Sequence, residues 1–197
     1  VRTEADLEGA PAPADFAAAV QRAQSLAKLY GDRAIVRTGA DASESAAREL
    51  LEQSDVLDIA APLEIDKAAP LLSSVLLAGS GDRTNDGRWE AREWFGETAA
   101  ARVLVLADGA ALDRPDAGMV MDALAWSAAA AGVPTIIAAR AASSGFSPEA
   151  LERALHEHLA HGEPPADAWS AAVAAMRVDR STPPSAWASL RLLGAAR

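Results

Sequence analysis

The run Val103, Leu104, Val105, Leu106, followed by Asp108 and Gly109, constrains this chain more than any other stretch of it. Four consecutive apolar side chains leave no wet face, so the strand they form needs cover on both sides and belongs inside a parallel sheet. The same pattern recurs at Val56 to Ala60 and at Pro134 to Ala139, and in shorter form at Ala34 to Val36 and Val75 to Ala78. Trp187 to Leu193, ending at Gly194, reads as a closing strand.

Helical patterns alternate with these runs. Phe16, Val20, Ala23, Ala27 and Tyr30 recur at spacings of three and four within Pro13 to Tyr30, and Gly31 stops that helix. Asp41, three residues before Glu44, resembles a capping box opening a helix with Ala47, Leu50 and Leu51 inside. Gly118 to Ala131 is a helix of small residues suited to close packing on a sheet. Ser147 and Pro148 start another helix, whose stripe is Leu151, Ala154, Leu155, His158 and Leu159, and Pro165 to Met176 follows with Trp169, Ala172, Val173 and Met176 on one face. Trp89 to Phe95 fits a short helix or a return strand equally well. Strand, helix, strand repeated in this way predicts a three-layer α/β domain with a mostly parallel central sheet over residues 13–197, preceded by a leader or linker at 1–12.

Composition narrows the partners. A chain of 197 residues can bury roughly 70% of its unfolded surface, enough for a core without disulfides or metal. With 18 basic and 28 acidic residues its net charge is −10, which repels phosphate backbones and anionic membranes, so no nucleic acid and no membrane partner is expected. Its longest apolar stretches are too short to span a bilayer, and Val1 to Pro13 has neither the basic nor the apolar region of a signal peptide, so a cytoplasmic address is expected. The chain does not open on Met, which leads us to expect a fragment of a longer polypeptide. Cysteine is absent, which excludes disulfides and thiolate catalysis alike.

Ligands of open α/β sheets sit at the carboxyl ends of the strands, which singles out Asp58 to Pro62, Asp108 to Ala111 and Arg140 to Ser144. Asp58 and Asp108 can be read as a carboxylate pair sharing a proton or as two solvated loop acids. His156, His158 and His161 lie in one helix. His156 is about 200° around the axis from His158, no cysteine completes a ligand set, and all three read as helix-end surface groups, with His158 partly packed. No metal and no cofactor is expected. Asp82 to Glu93 places oxygen side chains at positions 1, 3, 5, 9 and 12 with Gly87 at 6, like a calcium loop. Thr84, three arginines and the lack of an entering helix favour a plain turn there. Gly79 and Gly81 form a lone G-x-G, no G-K-[ST] or G-x-S-x-G occurs, and no imidazole stands beside Ser143 or Ser144 in the strand-end loops.

Several segments in order, Ala46 to Leu57, P-L-L-S-S-V-L-L-A at Pro70 to Ala78, Val103 to Gly109, A-G-V-P-T-I-I-A at Ala131 to Ala138, Pro165 to Met176 and Ser185 to Gly194, resemble the CHAT domains, caspase-like proteins often joined to TPR repeats. The resemblance covers roughly residues 34–194 and implies a caspase-like fold, a protein partner, TPR repeats in the same polypeptide, and pairing of two copies through a sheet edge. It also implies a loss. Where active members carry H-F-A-T-H-G, this chain has Asp58 to Leu63, with Pro62 at the catalytic histidine. Where they carry L-S-A-C-E-T-G it has Leu106 to Ala111, with the cysteine at or near Gly109. The expectation is a catalytically inactive CHAT domain acting in recognition, scaffolding or regulation, its strand-end cleft lined by Asp58, Asp108 and Arg140. The alternatives are a non-cysteine hydrolase working at the same strand ends and a small-ligand or calcium-binding module.

Overall fold

A computed structural model describes residues 13–66, 68–79, 84–106, 117–139, 149–178, 182–188 and 190–194. The three continuous apolar runs become the core of its main sheet. β1 (Val56–Asp58) pairs in parallel with β5 (Val103–Leu106), β5 in parallel with β6 (Thr135–Ala139), and β6 antiparallel with β7 (Leu190–Gly194), giving the order β1-β5-β6-β7. Every residue of β5 and β6 is buried, so both faces are covered, as an apolar run without alternation requires. A second, antiparallel sheet, β2-β3-β4, joins Leu63–Glu64, Ser74–Leu76 and Arg88–Glu90.

The helices are α1 (Pro13–Tyr30), α2 (Glu44–Gln53), α3 (Ala117–Ala130), α4 (Glu149–Ala160), α5 (Pro165–Val178) and the short α6 (Pro184–Trp187). Successive residues at the end of β1 point to opposite faces. Asp58 faces His156 of α4, while Ile59 lines a crevice with Met121 of α3, so α3 and α4 cover opposite sides of the sheet. α5 packs on α4, and α1 packs on α4 from outside. Four contacts run in the same order along α1 and α4: Arg22 to Glu152, Ser25 to Arg153, Tyr30 to His156, and Arg33, just beyond α1, to the Ala160 carbonyl. The two helices are therefore parallel.

Four local expectations change. Ala34 to Val36 is no strand: it leaves a 3-10 turn at Gly31–Arg33 with Ile35 57% exposed, because three apolar residues without a neighbouring strand have nothing to pair with. The cap of α2 is Ser43, whose hydroxyl accepts the Ala46 N–H at 3.2 Å, whereas Asp41 ends a 3-10 turn. Trp89 to Phe95 divides between β4 and a 3-10 turn at Glu93–Gly96. Trp187 ends α6, a turn started by Pro184, and β7 begins only at Leu190. Gly194 closes β7 at φ +96, where a Cβ would lie 2.2 Å from the Pro134 carbonyl oxygen, so no other residue fits. Among the described residues no helix is long and apolar enough to cross a membrane.

Candidate functional site

Asp58 ends β1 at the carboxyl edge of the sheet, where a ligand site is expected. Its neighbours come from α4. Glu152 and His156 are four residues apart and so share a helix face, alongside the apolar stripe Leu151, Leu155 and Leu159. Both are buried, at 0% and 2% exposure, while Asp58 retains 20%. His156 Nε2 lies 3.1 Å from an Asp58 carboxylate oxygen. Its Nδ1 is 2.8 Å from the Tyr30 hydroxyl of α1, and the two rings meet edge to face at 5.8 Å. Arg22, also on α1, places Nε 3.3 Å from Glu152 Oε2.

Distance alone does not satisfy these atoms. Neither oxygen of Asp58 or Glu152, nor His156 Nε2, nor Arg22 Nε has a formed hydrogen bond, and the two carboxyls can bond to each other only through a shared proton. Burial, and then the adjacent Asp58 carboxylate, push the Glu152 carboxyl up to about 8 against the pull of Arg22. Burial and Asp58 likewise raise Tyr30 well above the usual phenol range, which keeps its hydroxyl neutral. Asp58, Glu152 and His156 offer one ligand atom each, all within 4.8 Å of one another.

The surface reading of the histidines is thus corrected for His156. The buried face of α4 runs through Glu152 and His156 rather than Ala154 and His158, because Tyr30 and Asp58 give the polar pair a place inside. His158 is half-buried and paired with Glu163 at 2.8 Å, and His161 is exposed. The signal in the sequence was the spacing of Glu152 and His156, an acid and an imidazole four apart beside a leucine stripe.

Of the other sequence-derived site residues, Asp108, Gly109 and Arg140 lie outside the described residues. The acid brought to Asp58 among the described residues is Glu152. Pro62 precedes β2, and its carbonyl accepts the Leu76 N–H at 2.8 Å, holding the small sheet together. Beside it, Ile59, Ala61, Leu63, Val75, Leu106 and Met121 line an apolar crevice too narrow for a water molecule.

The calcium-like letters are used structurally, although Asp82 and Arg83 are not described. Arg88–Glu90 is strand, Asp86 caps the Arg88 N–H at 2.9 Å, and Glu93 accepts the Glu90 N–H at 2.9 Å while lying 3.7 Å from Arg48. Gly87, at φ +91, is needed because a Cβ there would meet the Leu77 carbonyl at 2.7 Å. The approach of Asp86 and Gly87 to β4, strand β4 itself and the 3-10 turn at Glu93–Gly96 account for the segment's residues from Asp86 on.

Sheet and site together define an α/β domain with a mostly parallel sheet, an acid and imidazole cluster at its carboxyl edge, and no thiol in its 197 residues. The family model of the CHAT domain matches residues 4–195, and the chain belongs to that caspase-like family. No curated protein matches it.

Proposed function

We propose that this CHAT domain serves in protein recognition, scaffolding or regulation, and not in peptide cleavage. The absence of cysteine carries the reading. Caspase-type cleavage needs a thiolate activated by an imidazole, and without the sulfur atom no acyl-enzyme forms. Pro62, at the position that the resemblance gives to the histidine, has a ring nitrogen bound into the backbone and cannot take a proton. His156, a buried imidazole elsewhere on the sheet's edge, is engaged by Tyr30 and Asp58, and neither is an attacking group of the required kind.

A protein partner follows from such a role, with TPR repeats in the same polypeptide as the one the family resemblance suggests, in the cytoplasm. Strand β7 is an outer strand of the described sheet, and an outer strand offers free backbone groups to a second copy or a partner's strand. The test is cleavage of a mixed peptide library by the purified chain, followed by gel filtration with a TPR-repeat protein. The expected result is no cleavage and a stable complex. Cleavage that Asp58→Asn or Asp108→Asn abolishes would overturn the reading, as would a chain that stays apart from the repeats.

A further inference from the structure

We propose that Asp58, Glu152 and His156 bind one divalent transition-metal ion of the zinc or manganese class, which pins α4, and through it α1, to the carboxyl end of β1. The geometry is already close. Ligand atoms that share an ion at about 2.0–2.2 Å lie about 3–4 Å apart, and the three atoms here fall within 4.8 Å of one another without an ion to draw them in.

Two of the three side chains are more than nine-tenths buried and unpartnered. Glu152 is fully buried with no hydrogen bond to either oxygen, and His156, 2% exposed, has none at Nε2. Buried polar atoms in a native protein have partners almost without exception, and a proton shared by Glu152 and Asp58 would serve those two while leaving His156 Nε2 without one. A cation meets all three at once. Arg22 does not fill this role: its Nε is 3.3 Å from one Glu152 oxygen and is itself unpaired, and the other oxygen stays available.

The surroundings suit an ion as well. A metal-bound histidine is commonly oriented by a hydrogen bond to its other ring nitrogen, and the Tyr30 hydroxyl sits on Nδ1 at 2.8 Å with Nε2 directed at Asp58. Asp58 and Glu152 set two carboxyl groups against the one Arg22 guanidinium, a balance that suits a divalent ion. One nitrogen and two oxygens from three side chains match zinc or manganese, whereas calcium takes six to eight oxygens that this site does not supply. The Asp58 side chain is 20% exposed but both of its oxygens are buried, so the three ligand atoms are shut off from bulk water.

The site is independent of the recognition reading, which peptide cleavage and complex formation decide. For the ion, the whole chain is stripped with a chelator and melted near neutral pH with Zn²⁺ or Mn²⁺, and with Mg²⁺ and Ca²⁺ as controls. At 100 times its Kd the ion should raise Tm by about 5–10 °C, with one ion bound per chain by equilibrium dialysis. Asp58→Asn and His156→Asn should each weaken binding at least about tenfold, while the pair His158→Asn and His161→Asn leaves it intact. If His156→Asn fails to fold, the partly exposed Asp58→Asn carries the test. No shift, an equal shift with Mg²⁺ or Ca²⁺, or binding that survives Asp58→Asn and vanishes with His158 and His161 would overturn the proposal.

Discussion

Two glutamates are buried among the described residues, and they are treated in opposite ways. Glu44, 1% exposed at the start of α2, is held by Arg48 one turn on and accepts the Gly87 N–H at 3.3 Å. Arg48 in turn reaches Glu97 and lies 5.7 Å from the ring centre of Trp89, which stacks on Trp94 at 4.1 Å. Glu152, equally buried on α4, faces another carboxylate and has Arg22 Nε 3.3 Å from one oxygen without a formed hydrogen bond. A buried acid with partners on every side is part of the frame. A buried acid with one misfitting cation, set beside an imidazole and a second acid, is a candidate place for something else to bind.

The sharpest contrast comes from deleting each acid. Glu44→Ala leaves Arg48 and the Gly87 N–H without their acceptor and should cost about 3 kcal/mol in urea unfolding, the lower end for breaking a buried pair since Arg48 is 22% exposed. Glu152→Gln removes no hydrogen bond and should leave the ion-free chain at least as stable near neutral pH, because the parent must hold on Glu152 a proton that its unfolded chain releases. Equal losses would erase the distinction. Gly87→Ala attacks the frame from its other side. The left-handed backbone and the 2.7 Å approach to Leu77 should make it cost about 1–3 kcal/mol by the same measurement.

A pH titration separates the two acids further. The Glu152 carboxyl rises from 4.5 to about 8 on folding, so the ion-free native state holds a proton that the unfolded chain has released. Its contribution is complete below pH 4.5, declines as pH rises, and is gone above about 8. Unfolding free energy of the parent should therefore fall across that window more steeply than that of Glu152→Gln, and parallel curves would contradict the burial argument. The smallest expected effect is that of Tyr30→Phe. Losing one hydroxyl on His156 Nδ1 should cost about 1 kcal/mol of stability, with ion affinity falling about tenfold.

How much of this could be read from the letters differs between the same regions. Continuous apolar runs located β1, β5 and β6, because a strand buried on both faces cannot hide its composition. Ala34 to Val36 misled because an apolar run says nothing about whether a neighbour exists to pair with it. The strand-end rule found Asp58, but its partners lie far along the chain: Glu152 and His156 are on a helix whose inner face an apolar stripe alone places wrongly. His156 is held by Tyr30, 126 residues away, and no local pattern records a contact at that range. Glu44 was noted as part of a helix cap, whereas its bonds to Arg48 and Gly87 depend on the approach of the residues before β4.

Diffraction from crystals of the chain grown with Mn²⁺ tests the unpartnered cluster most directly, through the anomalous signal of the ion. One peak about 2.0–2.3 Å from Asp58, Glu152 and His156 is expected. A map with no peak there, or with manganese only at His158 and Glu163, would contradict it.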